Sequence, residues 1–129
     1  MADFFAWEDR YDLKVDAMNG EHKILINKMN QLHASWEAQG EDVPERFQDL
    51  AAYAVQHFEE EEKYMESIGF PELGVHKQIH KGLLEKVTGY GEQLSEKGQL
   101  PGEFFDFLKI WLASHICGID MKYGEHANK

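Results

Sequence analysis

The run His57-Phe58-Glu59-Glu60-Glu61-Glu62, followed by His76-Lys77-Gln78-Ile79-His80, decides how this chain folds. In each run two side chains able to hold a metal stand four residues apart, His57 with Glu61 and His76 with His80. Positions i and i+4 of an α-helix lie on one face about one turn apart, so each pair projects to the same side. Working outward from His57 and Glu61, the apolar residues Phe47, Leu50, Ala54, Tyr64 and Ile68 keep steps of three and four. Around His76 and His80 the same steps pass through Leu73, Leu83, Val87, Tyr90 and Leu94. This is the stripe of a core-facing helix, and the polar groups occupy places on it that belong to the core.

The remainder of the chain repeats the pattern. Asp16 offers an N-cap, and His22, Leu25, Met29, Leu32 and Trp36 predict a first helix over roughly 17–38, stopping near Gly40. The second helix is expected over 44–68, with Pro44 in its first turn and Gly69 as its stop. Pro71 opens a third over 71–97, and Pro101 a fourth over 101–123 in which Phe104, Leu108, Trp111 and His115 hold the register. Residues 1–15, with Phe4, Phe5, Trp7, Tyr11 and Leu13 but no sustained period, read as an extended arm packed through its aromatics. Four amphipathic helices with short connections predict an all-α fold, an antiparallel up-down-up-down four-helix bundle, as one domain over 1–129. Gly82, Gly89 and Gly91 each weaken the third helix by about 1 kcal/mol relative to Ala, so packing or metal must hold it.

Composition narrows the function classes. With 43% hydrophobic and 29% charged residues, and no apolar run near the ~20 residues of a membrane span, a soluble protein is expected. A formal charge of −11 argues against a nucleic-acid partner, because phosphate binding needs a basic stripe. The first ten residues lack the basic start and apolar core of a signal peptide, which predicts a cytoplasmic location. The single Cys117 allows no disulfide within the chain, and two residues from His115 it points away from that ring's face.

Any one histidine on an apolar stripe reads first as a core imidazole satisfied by one hydrogen bond. His22, His57, Glu61, His76, His80 and His115 together do not. Burying an isolated carboxylate costs several kcal/mol and an unpaired polar side chain roughly 1–3 kcal/mol, more than a small bundle can carry repeatedly. These groups need partners inside, and metal ions satisfy them all. Glu59, Glu60 and Glu62 turn off the stripe and read as solvated face, while His33 and His126 read as surface residues. With Asp120 the set reaches five imidazoles and two carboxylates, too many for one tetrahedral zinc and suited to two octahedral ions bridged by carboxylates. Imidazole-rich ligation points to iron, copper, nickel or zinc rather than magnesium or calcium; iron is favoured, with manganese and zinc open.

Trp7, Asp16, Glu21-His22, His57-Phe58, Glu61-Glu62, His76 with His80, Trp111-Leu112, His115, Asp120 and Tyr123 stand in an order that resembles the hemerythrin family, and within it the single-domain bacterial members. The resemblance spans nearly the whole chain. It implies two iron ions, one held by His76, His80 and His115 and the other by His22 and His57. Glu61 and Asp120 would bridge them together with an oxo or hydroxo group. It further implies reversible dioxygen binding at the open position of the two-histidine iron, by two-electron transfer from the iron pair. An oxygen carrier, store or sensor is then expected rather than an enzyme. Leu112, Trp111, Leu25 and Ile119 are the expected walls or surroundings of the oxygen pocket. A monomer is expected, without membrane contact, and with an oxygenase or signalling protein as candidate partner. The alternative is a di-iron enzyme on the same site, a peroxidase, nitric oxide reductase or ferroxidase; a bundle stapled by zinc is the third reading.

One residue departs from the regular pattern. Asp120 follows His115 by five residues, which an ideal helix places about 140° around the axis. The fourth helix is therefore predicted to be distorted there by a π-type turn, with Gly118 lowering its cost.

Overall fold

Phe5, Tyr11 and Leu13 of the N-terminal arm are buried, and the arm is pinned through two asparagines. Asn30 closes a pair of 2.8 Å hydrogen bonds with the backbone of Phe5, accepting from its N–H and donating to its carbonyl. The Asn19 carboxamide accepts from the Leu13 N–H at 3.0 Å and donates to Asp12 at 2.8 Å. A single 3₁₀ turn, Asp9–Tyr11, interrupts the arm. The structure, a computed structural model, describes residues 4–128, so the first three residues of the expected arm and the final lysine lie outside the described residues.

Helix α1 spans Asp16–Glu37, α2 Val43–Ser67, α3 Leu73–Lys97 and α4 Glu103–Ser114. The six residues His115–Asp120 form a π-helix, and α5, Met121–Ala127, completes the fourth rod. No strand occurs among the described residues, and the rods form an all-α four-helix bundle. Among the described residues no helix is long and apolar enough to cross a membrane.

The ends differ from expectation in instructive ways. Asp16 is the first helical residue rather than the cap; Val15 takes the cap position without a side-chain bond, and Asn19 provides the polar anchorage instead. At the end of α1 it is Gln39, at φ 55°, that turns left-handed, while the Gly40 N–H reaches back to the Ser35 carbonyl at 2.8 Å. Gly69 and Gly98, at φ 67° and 75°, stop α2 and α3 where a side chain would be strained. Pro71 and Pro101 sit in the turns, two residues ahead of α3 and α4.

Packing explains one of the glycines of α3. A Cβ on Gly91 would lie 3.0 Å from the Phe47 ring, so its absence lets α2 and α3 close together, whereas Gly82 and Gly89 face open space. Trp36 ties the end of α1 to the α3–α4 connection through a 2.9 Å bond from its indole N–H to the Leu100 carbonyl.

Two histidines read as surface residues are not. His33 is half-buried, stacked on Phe4 at 4.3 Å and edge-on to Phe105 at 5.0 Å, because the aromatic arm folds back over that face of α1. His126 lies inside α5, half-buried, its ring nitrogen 3.1 Å from the Ile68 carbonyl that the end of α2 leaves free.

Candidate metal centre

The π segment does what the spacing of His115 and Asp120 requires. A π turn bonds i to i+5, so residues five apart come onto one face, and His115 Nε2 stands 3.0 Å from Asp120 Oδ1. A Cβ on Gly118 would meet nothing, and its φ is not positive, so neither space nor backbone angle demands glycine there.

The other rods present their side chains from α1 (His22), α2 (His57, Glu61) and α3 (His76, His80) to the same point. All seven are buried. Glu61 Oε1 lies 3.1 Å from His76 Nε2 and 2.9 Å from His80 Nε2, while its Oε2 lies 3.4 Å from His22 Nε2 and 3.3 Å from His57 Nε2. Asp120 repeats the division: Oδ1 is 3.1 Å from His76 and 3.0 Å from His115, Oδ2 3.2 Å from His22. Each carboxylate thus turns one oxygen to a three-imidazole half and the other to a two-imidazole half.

Of these contacts only that between His76 Nε2 and Glu61 Oε1 has hydrogen-bond geometry. Both nitrogens of His22, Nε2 of His80 and of His115, and both oxygens of Asp120 are buried without a hydrogen-bond partner among the described residues. Orphaned acceptors on this scale would cost roughly 1–3 kcal/mol each. Donor atoms of Glu61, His76, His80 and His115 lie within 4.8 Å of one another, as do those of His22, His57 and Glu61. Imidazole and carboxylate atoms facing a shared centre from all sides fit a pair of divalent or trivalent cations.

Electrostatics of the metal-free chain agree. Burial opposes charge on His57, yet Glu21 and Glu61 outweigh it and push the ring up to about 10. Burial likewise opposes charge on His76, and Asp120 and Glu61 push it to about 9. Burial works against ionised Glu61, but His22, His57, His76 and His80 hold it well below the usual carboxylate range. Asp120 is also held low, His115 and His22 overcoming burial and the nearby charge of Glu61.

Three residues around this centre escaped the periodicity. Glu21 Oε1 lies 2.8 Å from His57 Nδ1, and Glu62 Oε2 2.8 Å from His80 Nδ1. Glu62, read from the sequence as solvated face, is a correction: it lies at the edge of α2 where α3 brings His80 against it. No signal along one helix marks such a pair, since the partner comes from another rod. Tyr123 donates its hydroxyl to Glu61 Oε2 at 2.9 Å. It stands three residues after Asp120, a same-face spacing that could have pointed to it. Burial, together with the charges of Glu61 and Asp120, drives its phenol far above the ordinary range, so it stays a donor.

The expected pocket residues divide. Leu25 and Leu112 are almost wholly buried, and Trp111 packs edge-on against Phe58, which itself stacks on His80 at 3.9 Å. Ile119 is half-buried and lines an outer groove between α3 and α4 together with His115.

Fold and centre together define a class: a four-helix bundle whose interior is given over to imidazoles and carboxylates arranged for cations. Residues 13–127 match the family model of the hemerythrin HHE cation binding domain. The chain is 29% identical over 120 residues to a bacteriohemerythrin of Stenotrophomonas maltophilia, covering 92% of this chain and 78% of that one. It is 30% identical over 126 residues to a bacteriohemerythrin of Clostridium acetobutylicum, covering 92% and 98%. A crystal structure of a leucine-to-alanine mutant of hemerythrin superposes with a TM-score of 0.91 over 99% of this chain and 100% of that one, at 22% identity, which speaks for the fold. The chain belongs to the hemerythrin family.

Proposed function

We propose that this chain binds dioxygen reversibly at a di-iron centre held by His22, His57, Glu61, His76, His80, His115 and Asp120, and that it serves as a carrier, store or sensor of oxygen. The observation that carries the reading is the division of the two carboxylates: each offers one oxygen to each half of a five-imidazole cage. That arrangement supports a bridged pair of ions better than one ion or a hydrogen-bonded core. When bound, the iron pair supplies two electrons to dioxygen and recovers them on release.

The protein's own groups prepare the site. Glu21 and Glu62 accept the Nδ1 protons of His57 and His80, which fixes the tautomer and leaves each Nε2 lone pair facing inward. Tyr123 holds Glu61 in orientation through its donated hydrogen bond. Two carboxylates among five neutral imidazoles give less negative charge than the carboxylate-rich ferritin-like sites, which favours reversible binding over O–O cleavage. Leu25 and Leu112, in the dry interior, keep out the water and protons that hasten autoxidation.

An anaerobic-to-aerobic cycle on iron-loaded protein, followed by visible absorption, tests this. Colour that develops in air and reverses under argon is the expected result. One-way oxidation would favour a di-iron enzyme, and a colourless protein that prefers zinc would favour a structural staple.

A further inference from the structure

Among the described residues, His80 is the one imidazole of the centre that lies flat on a carbocyclic ring. Phe58 covers it with 3.9 Å between centroids and 9° between planes. The contacts of Phe58 with His57 and His115, of Trp111 with His115 and of Tyr123 with His76 are tilted by 48–50° at 5.7–6.4 Å. Phe58 and His80 also meet the surface together. A cavity of about 550 Å³ between α2 and α3 has exposed charges along it, Glu59 and Glu85 with Lys77 and Lys81, and reaches inward to the buried Phe58 and His80. It is the largest cavity bordered by any group of the centre, and its charged margin keeps it hydrated.

The plane of a histidine ring is not fixed by its rotamer, because the torsion about Cβ–Cγ is broad and soft. A metal ligand nevertheless has to be held within about 0.5 Å and 10–20° of its working geometry. For His80 the 2.8 Å contact between Nδ1 and Glu62 fixes the tautomer and acts in the plane of the ring. It resists tilt weakly, since an acceptor oxygen takes a hydrogen from a broad range of directions. The flat face of Phe58 supplies the missing restraint, because tilting His80 drives a ring edge into the phenyl carbons. Chemistry strengthens the contact where it is needed. An imidazole that gives its Nε2 lone pair to a cation becomes electron-poor, and its face is then drawn to the negative face of a phenyl ring.

We propose that Phe58 is a positioning residue for the three-imidazole half of the centre: it holds the plane of His80 and keeps the water of the α2–α3 cavity off that ring, which slows loss of the ion held there. The proposal rests on the di-iron reading above. Glu62 and Phe58 then divide the task, one acting at the edge of the ring and the other on its face.

Release of iron from the loaded protein to a chelator, followed by absorption, is expected in two phases, one for each half. Glu21→Ala should speed only the phase of the two-imidazole half and Glu62→Ala only the other, which assigns them. Phe58→Leu keeps an apolar side chain but removes the flat face. It should speed the Glu62-sensitive phase about tenfold and leave the other unchanged. Phenylalanine carrying one and then three ring fluorines, incorporated at position 58, keeps the shape of the ring while draining charge from its face. The same phase should quicken in step with the fluorine count, which a packing role would not produce. In zinc-loaded protein the Nδ1–H resonance of His80 should exchange with water faster in Phe58→Leu than in wild type. Unchanged release in Phe58→Leu, equal acceleration of both phases, or release indifferent to fluorination would each overturn the proposal. Fewer than two metal ions per chain at saturation would overturn the di-iron reading itself, and the proposal with it.

Discussion

The hydroxyl of Tyr123 donates a 2.9 Å hydrogen bond to Oε2 of Glu61, the oxygen that faces His22 and His57. A phenol from α5 thus orients a carboxylate on α2 at the middle of the bundle. Tyr123→Phe keeps the ring and removes only this donor. Iron affinity, measured by competition with a chelator, is expected to fall about tenfold, the lower end of the range for such supporting contacts, with the helical circular dichroism unchanged. Unaltered affinity would assign the tyrosine to packing alone.

Glu62 supports His80 in the same sense. Glu62→Ala should weaken iron binding by about 10–100-fold, since the ring loses the acceptor that fixes its tautomer. Glu62→Gln, whose amide oxygen still accepts, should recover most of that loss. Equal losses in the two variants would show that charge rather than tautomer control is at work.

The metal-free protein should be most resistant to urea between about pH 4.5 and 6.5. His57 and His76 are raised from 6.5 to about 10 and about 9, so their stabilising charge is fully present below 6.5 and is lost as pH rises through those values. Glu61 is depressed below 4.5, so its contribution is present above that value and is lost as pH falls. Urea midpoints across pH 4 to 10 check both limbs; a midpoint that climbs between 6.5 and 9 would contradict the pairing. Iron binding, which requires neutral imidazoles, should abolish the alkaline decline.

Gly124→Ala should destabilise the fold by about 1–3 kcal/mol, the usual cost of overpacking. Its Cβ would stand 2.8 Å from the Leu13 carbonyl oxygen, a backbone atom of the arm that has little room to retreat. Thermal unfolding gives the loss, and faster amide exchange at residues 11–15 would locate it.

Gly118→Ala carries the opposite expectation. Its Cβ meets no atom within 4 Å, so relief of backbone entropy should add about 0.5–1 kcal/mol of stability while the π turn persists. Destabilisation there would mean that the turn needs the freedom of glycine after all.

The helices were legible in the sequence because their cause is local. A core stripe at steps of three and four is a property of one segment, and it carried His22, His57, Glu61, His76, His80 and His115 with it as its polar exceptions. Even the π turn was legible, because Asp120 could share the face of His115 only if the helix widened between them. The sequence did not reveal what depends on two rods meeting. Glu62 looks like a solvated acid until α3 sets His80 against it, and nothing along α1 marks Glu21 as the partner that α2 brings to it in His57. His33 looks exposed until the arm lays Phe4 upon it. The assignment of one carboxylate oxygen to each half of the cage likewise arises only from the azimuth of each helix in the bundle. Periodicity along a chain determines which face a residue occupies; the rotation and offset of neighbouring helices, set by packing over the whole core, decide what it faces.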